Sequence, residues 1–320
     1  MKIMLVSDSP RPNLALAKIA AFHRARGDMV ELAPSMDWAL MCKGNDPDAH
    51  IVASWIFKRE NGADVEGGPA SLMPGYKLKD GWHEAYPDWQ DWPSMKNATM
   101  GHLTRGCPNR CPWCVVWRNE AWHAMREHVL WRHVEVSDIW RGEKHLTIMD
   151  ANLLALKNGI PPFNITVLRL LSDLATTRAQ VNFEQGLDCR CIDEEIAAAL
   201  VKIRMKRIQI ACDTDEMIQP AIDACRHIWN AKPTANISCF FFADWRNDGW
   251  LESVLRRIED LHALDHDINY ERHGIYRLSP FVMLWDRENA PQQALDLQRW
   301  ANRREVFFST MFADYKNRRV

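Results

Sequence analysis

Strand and helix patterns alternate along most of this chain, and that alternation limits it to the α/β class before any single residue is considered. "KIMLVS" (2–7) is a short apolar run that reads as a buried strand. "LALAKIAAFHRAR" (14–26) has helical periodicity, with Asn13 placed to cap it and Gly27 to end it. "DMVELA" (28–33) and "HIVASWIF" (50–57) follow as a second and a third strand, so the first 60 residues predict a small parallel α/β unit. Beyond residue 97 the alternation resumes. Strand candidates are "HLTIMD" (145–150), "QVNFEQG" (180–186), "RIQIAC" (207–212), "NISCFFF" (236–242) and part of "GIYRLSPFVML" (274–284). Helical stretches lie between them. "NITVLRLLSDLATTR" has Asn164 as its expected cap. "DEEIAAALVKIRM" carries acids first and bases last, as the helix dipole favours. "DGWLESVLRRIEDLHAL" has Asp248 as its expected cap. With a strand just before Cys107 this makes about six β/α repeats, which favours a curved parallel sheet or partial barrel.

The stretch from Lys58 to Ser94 breaks the pattern. Rich in Gly, Pro, Asp and Trp, it reads as a connector with little regular structure. Its tryptophans Trp82, Trp89 and Trp92 either pack the connector or form an aromatic wall near a ligand. The expected organisation is a small α/β domain over 1–60, a connector over 61–96, the repeats over 97–285, and a C-terminal helix with a basic tail over 286–320.

No apolar run approaches the roughly 18–20 residues needed to span a bilayer, and "MKIMLVSDSPRP" reads as a first strand and not a signal peptide. The expectation is a cytoplasmic protein with no membrane partner, in which thiols stay reduced. A net charge of −2 argues against a broad electrostatic grip on nucleic acid. The basic end of "RWANRREVFFSTMFADYKNRRV" leaves a local nucleic-acid contact open.

In reduced surroundings a tight group of cysteines points to metal chemistry. "TRGCPNRCPWCVVW" (104–117) holds Cys107, Cys111 and Cys114 in the spacing C-x3-C-x2-C. Pro108 and Pro112 stiffen the loop, and Gly106 lets the backbone approach closely before the first cysteine. Three thiolates can hold three irons of a 4Fe–4S cluster and leave the fourth open. A structural zinc site needs a fourth ligand, for which His102 is the nearest candidate, and such a site would suit a nucleic-acid- or protein-binding module. A plain electron carrier normally has four cysteines on its cluster.

The motif "CPNRCPWC", with Trp113 before its last cysteine, resembles the signature of the radical S-adenosylmethionine superfamily. The likeness extends over roughly 97–285. "LTIMDANLLA" is similar to that fold's second strand. "FEQGLDCR", "GGPASLMPGYKL…YPDWQDWP" and "FVMLWD…LQRWANRR" resemble a phage-associated set of radical proteins with no settled substrate.

The resemblance implies a partial (β/α)6 TIM-like barrel preceded by a small Rossmann-like α/β domain. It also implies a 4Fe–4S cluster on Cys107, Cys111 and Cys114, and S-adenosyl-L-methionine on the open iron. Reductive cleavage to a 5′-deoxyadenosyl radical would be fed by a reductant such as flavodoxin or ferredoxin. By the same resemblance Trp113 would lie near the adenine, with loop packing the alternative, and Asp150 and Asn152 would meet the cofactor's amino group or a substrate, with helix capping the alternative for Asn152. Gln185, Asp188 and Arg190 would touch cofactor or substrate. Asp213 would reach ribose hydroxyls; Asp215 is expected to cap the next helix. Cys189, Cys191 and Cys212 read as buried thiols or as a second redox group, and Cys42, Cys225 and Cys239 as packing residues.

Two departures from the family pattern stand out. "MDAN" replaces the second-strand "GGEP" of many members. The cobalamin motif DxHxxG begins at Asp48-Ala49-His50 but has alanine at position 53. Cobalamin would have to bind without that histidine, and a vestigial domain is the simpler expectation.

Overall fold

The computed structural model describes residues 1–54, 60–67, 85–114, 116, 130–158 and 167–317. It is a mixed α/β structure with parallel sheets, in two compact units, Met1–Ala151 and Asn152–Val320. Among the described residues no helix is long and apolar enough to cross a membrane.

In the first unit, β1 (Lys2–Ser7), α1 (Leu14–Ala25), β2 (Met29–Leu32), α2 (Met36–Asn45), β3 (His50–Ser54) and β4 (Val65–Gly67) follow in order. The sheet runs β2-β1-β3-β4 and all its pairings are parallel. One face of β1, Ile3 and Leu5, packs with Leu16 and Ile19 of α1. The other, Met4 and Val6, packs with Met36 and Ala39 of α2. Covering on both faces explains why "KIMLVS" is an unbroken apolar run and not an alternating one. Asn13 caps α1 as expected: its Oδ1 accepts from the Leu16 amide at 3.1 Å, and its Nδ2 donates to Ser54 Oγ at 3.0 Å.

Two elements here were not expected. α2 begins behind Ser35, whose Oγ accepts from the Trp38 amide. The stretch expected to be an irregular connector contains β4, paired with β3. Trp89 and Trp92 meet edge to face at 5.9 Å in the α1 core, which decides for packing; Trp82 lies outside the described residues. Arg24 bridges Asp88 and Asp91 at 2.8 and 2.7 Å, tying the returning chain to α1.

The chain then forms β5 (Ala98–Gly101), β6 (Thr104–Gly106), β7 (Leu130–His133), α3 (Val136–Ile139) and β8 (His145–Ile148). The single strand expected before Cys107 is thus two. β5 pairs in parallel with β8, while β6 turns into an antiparallel ribbon with β7. At Gly101 a Cβ would come within 2.6 Å of Ile139, so α3 packs directly on the β5 backbone.

The second unit opens with a 3-10 turn, Leu153–Asn158. Then come α4 (Val167–Thr176), β9 (Gln180–Phe183), β10 (Leu187–Asp188), α5 (Glu194–Leu200), β11 (Ile208–Ala211), α6 (Ile218–Ala231), β12 (Ile237–Ala243), α7 (Trp250–Asp265) and β13 (Leu278–Leu284). Strands β10-β11-β12-β13 form an all-parallel sheet in that order. Buried Ile210, Cys239, Phe241 and Val282 fill it.

Several expectations change in detail. The strand expected over 180–186 ends at Phe183, and a turn through Gly186, at a positive φ of 75°, leads into β10. α5 is capped by Asp193 and ends before Lys202, so the bases lie beyond it. α7 starts behind Gly249 at φ 70°, and Asp248 does not cap it. Asn164 lies outside the described residues. Among the described residues the C-terminal region forms three helices, α8 (Gln292–Ala301), α9 (Arg304–Ser309) and α10 (Phe312–Asn317), where one was expected. Residues 318–320 of the basic end lie outside the described part. Asp265, fully buried at the end of α7, accepts from the Arg277 and Leu278 amides and from Asn269, which sets the start of β13.

Candidate functional site

Each unit carries its own group of candidate residues. In the first unit β6 ends at Gly106, whose φ of 101° turns the chain into the cysteine loop. Cys107, Cys111 and Cys114 are all half-buried thiols outside any disulfide. The loop is folded on itself: the Cys114 amide donates to the Cys111 carbonyl at 3.0 Å. The Asn109 amide donates to Cys107 Sγ and the Val116 amide to Cys114 Sγ, both at 3.4 Å. Amide donors on sulfur are a means by which proteins tune metal-bound thiolates. Among the described residues, the ligand atoms of His266, Asp267 and Glu271 on the surface of the second unit lie within 4.8 Å of one another. Trp113 is half-buried in the turn between Cys111 and Cys114. His102 Nε2 lies 2.6 Å from Arg105 Nη1, an engagement that competes with a role as fourth metal ligand.

Asp150 follows β8 and is 5% exposed. Its Oδ2 accepts from the Leu103 amide at 2.8 Å, and its Oδ1 accepts from the Thr104 amide at 2.6 Å and from Thr104 Oγ1 at 2.5 Å. Burial pushes its carboxyl up to about 6, against the pull of these same donors. Both oxygens are therefore committed to the strand that leads into the cysteine loop.

In the second unit Asn152 does two things. Its Oδ1 accepts from the Ala155 amide, capping the 3-10 turn, and its Nδ2 donates to Asp188 Oδ2 at 3.1 Å. Asp188 ends β10 and grips Arg190, which donates Nε to Oδ1 at 2.8 Å and Nη2 to Oδ2 at 2.7 Å. That fork raises the Arg190 pKa and holds a half-exposed guanidinium in one orientation. Gln185 is exposed, immediately before the Gly186 turn.

Asp213 follows β11. Its Oδ1 is shut off from solvent and has no hydrogen-bond partner among the described residues. Burial pushes its carboxyl up to about 6; Arg257 opposes the rise, and Asp188 adds to it. Arg257 is buried, with Nη1 on the Cys212 carbonyl at 2.5 Å and Nη2 on the Phe242 carbonyl at 3.1 Å. It clamps the C-terminal ends of β11 and β12. Asp215, expected as a helix cap, instead accepts from Ser253 Oγ at 2.7 Å and pairs with Arg256 and Arg257 of α7.

The thiols of this unit are mostly core. Cys189, Cys212, Cys225 and Cys239 are buried, and desolvation raises the pKa of Cys189, Cys225 and Cys239. Such thiols are inert. Cys191 and Cys42 are half-buried.

One feature escaped the sequence reading. Asp244 and Arg246, after β12, repeat the Asp188–Arg190 fork, with Nε to Oδ1 and Nη2 to Oδ2 both at 2.7 Å. Arg246 also lies 4.0 Å from the centre of the Trp285 ring. The signal was present in the chain: "DCR" and "DWR" each stand at the C-terminal end of a strand of the same sheet. Parallel α/β sheets bind ligands at this C-terminal edge.

His50 opens β3 and Ala53 is buried within it, so the stretch Asp48-Ala49-His50 runs into a strand. In comparisons with known proteins, no family model matches the chain and no curated protein matches it.

Proposed function

We propose that this chain is a radical S-adenosylmethionine enzyme that holds a 4Fe–4S cluster on Cys107, Cys111 and Cys114. The observation that carries the reading is the loop itself. It has three half-buried thiols at C-x3-C-x2-C, and backbone amides donate to two of their sulfurs. The engagement of His102 with Arg105 counts against the zinc-module alternative, which needs a fourth ligand. When bound, the cluster and its cofactor supply a one-electron reduction that yields a carbon-centred radical, an otherwise inaccessible oxidant for C–H bonds.

The chain's own residues bind, orient and shield. The half-buried Trp113 offers an apolar face beside the thiols. In the second unit, Asn152, Asp188 and Arg190 form one hydrogen-bonded group that presents a fixed guanidinium, suited to a carboxylate. Asp213 keeps a buried carboxylate oxygen ready to accept from a hydroxyl or an ammonium group. The finer fold that goes with this reading is a partial (β/α)6 barrel preceded by a Rossmann-like domain, and the parallel pairings of β5 with β8 and of β10 to β13 are in keeping with it. The electron donor would be a flavodoxin- or ferredoxin-like protein, and the compartment a reducing, cytoplasmic one. Anaerobic reconstitution tests the reading. It expects about four irons and four sulfides per chain, lost in Cys111→Ala; one zinc and no iron would overturn it.

A further inference from the structure

We infer that Asp150 is a positioning residue for the cysteine loop and not a contact to the cofactor. The resemblance gave this position to the cofactor's amino group, because it ends the second strand of the expected core. The geometry points elsewhere. A carboxylate that meets an ammonium group must present an oxygen to it. Asp150 is buried, and its oxygens already accept three hydrogen bonds, from the Leu103 amide, the Thr104 amide and the Thr104 hydroxyl.

Those donors lie at the start of β6, three and four residues before Cys107. Leu103 and Thr104 are themselves almost fully buried. The neighbouring backbone is fixed from other directions: the Met149 amide donates to the Gly101 carbonyl, and the Val134 amide to the Leu103 carbonyl, both at 2.9 Å. Asp150 therefore rivets the end of β8 to the chain between β5 and β6. Only Arg105 and the positive-φ Gly106, the rest of the three-residue strand β6, separate that rivet from the first thiol. A hydrogen bond to an ionised acceptor is the stronger kind, and a buried donor that loses it has no water to turn to. The position of Cys107 thus depends on a side chain that never touches it.

The inference rests on the cluster reading for its consequence, but its geometry is tested without metal. In the metal-free chain, the alkylation rates of Cys107, Cys111 and Cys114 are followed peptide by peptide with iodoacetamide and mass spectrometry. Asp150→Asn keeps the shape but removes one acceptor. It is expected to raise these rates about tenfold, the factor by which losing one charge-assisted hydrogen bond shifts a local opening equilibrium. Thr104→Val should raise them less, and Thr104→Ser should restore the native rates. Asp265→Asn, which removes a buried carboxylate from the second unit, serves as the control for general destabilisation and should leave them unchanged. Native rates in a folded Asp150→Asn chain would overturn the inference whether or not the protein ever takes up iron.

In the reconstituted protein, Asp150→Asn should change the EPR signal of the reduced cluster and speed its loss in air, with Thr104→Ser again native. S-adenosylmethionine should still perturb the altered signal. An unchanged cluster signal together with lost cofactor binding would overturn the inference in favour of a direct contact. A wild-type chain that binds no iron would refute the cluster reading alone and leave the alkylation result to decide the rivet.

Discussion

Replacing Asp213 with asparagine should stabilise the protein at neutral pH, and the size of the gain follows from the environment of one oxygen. Asp213 Oδ1 is buried without a partner among the described residues, and burial is the largest influence on its carboxyl, raising it from 3.8 to about 6. A raised acid binds its proton more tightly when folded than when unfolded. The stability it contributes is therefore complete below about pH 4 and is lost as pH climbs through about 6. At about 1.4 kcal/mol per pH unit, the ionised carboxylate costs about 3 kcal/mol at pH 7.5 relative to a neutral group of the same shape. Asp213→Asn removes that penalty. Urea unfolding should show the variant more stable by up to about 3 kcal/mol at pH 7.5, and the gap should shrink to about 1 kcal/mol at pH 4.5, where the wild-type carboxyl is already protonated in the folded state. Asp150, raised to a similar value, titrates in both proteins and cancels in the difference. A variant less stable than wild type at pH 7.5, or a gap that does not change with pH, would refute the reasoning. A gain in stability would mean that the native residue is held at a thermodynamic loss, as is usual for groups kept for binding or chemistry.

Other positions give sharp expectations. Arg257→Met should destabilise by about 3–5 kcal/mol in urea unfolding, because two strand-end carbonyls and the carboxylates of Asp213 and Asp215 lose a buried cation together. Gly101→Ala should destabilise by about 1–3 kcal/mol in urea unfolding, since the new methyl would meet Ile139 Cγ2 at 2.6 Å and its Cβ at 2.7 Å, and shortening Ile139 to alanine would leave the second clash in place; native stability of Gly101→Ala would contradict the close packing of α3 on β5. Asn13→Ala removes both the cap of α1 and its bond to Ser54, and should lower stability by about 2 kcal/mol; a thermal shift within error of wild type would contradict the capping role.

Much of the framework was legible in the chain because strands carry one of two apolar patterns. β1, matched residue for residue, and β12 are unbroken buried runs, as parallel strands covered on both faces are. β8, β9 and β11 lay where shorter runs alternate buried and less buried residues. Other elements were hidden for local reasons. α2 carries Trp38, Leu40 and Met41 around its axis with no clean apolar stripe, so its periodicity is silent. β4 is three residues long inside a stretch rich in glycine. The split between β5 and β6 depends on Asp150, a partner some fifty residues away, which no local pattern announces. The same distance hid the roles of Asp150 and Asp215: an acid after a strand looks alike in the sequence whether it meets a ligand, a backbone amide or an arginine. The thiols of the loop were legible because their spacing carries chemistry in itself. The Asp244–Arg246 fork was overlooked because a lone D-x-R is common, and only its repetition at the end of a second strand of the same sheet gives it weight.

The most direct test of the central claim is product formation. Anaerobically reconstituted protein, given S-adenosylmethionine and dithionite or a reduced flavodoxin, should release 5′-deoxyadenosine and methionine in equal amounts. Cys107→Ala, Cys111→Ala and Cys114→Ala should each release none. Iron-loaded wild-type protein that leaves S-adenosylmethionine intact under these conditions would contradict the account.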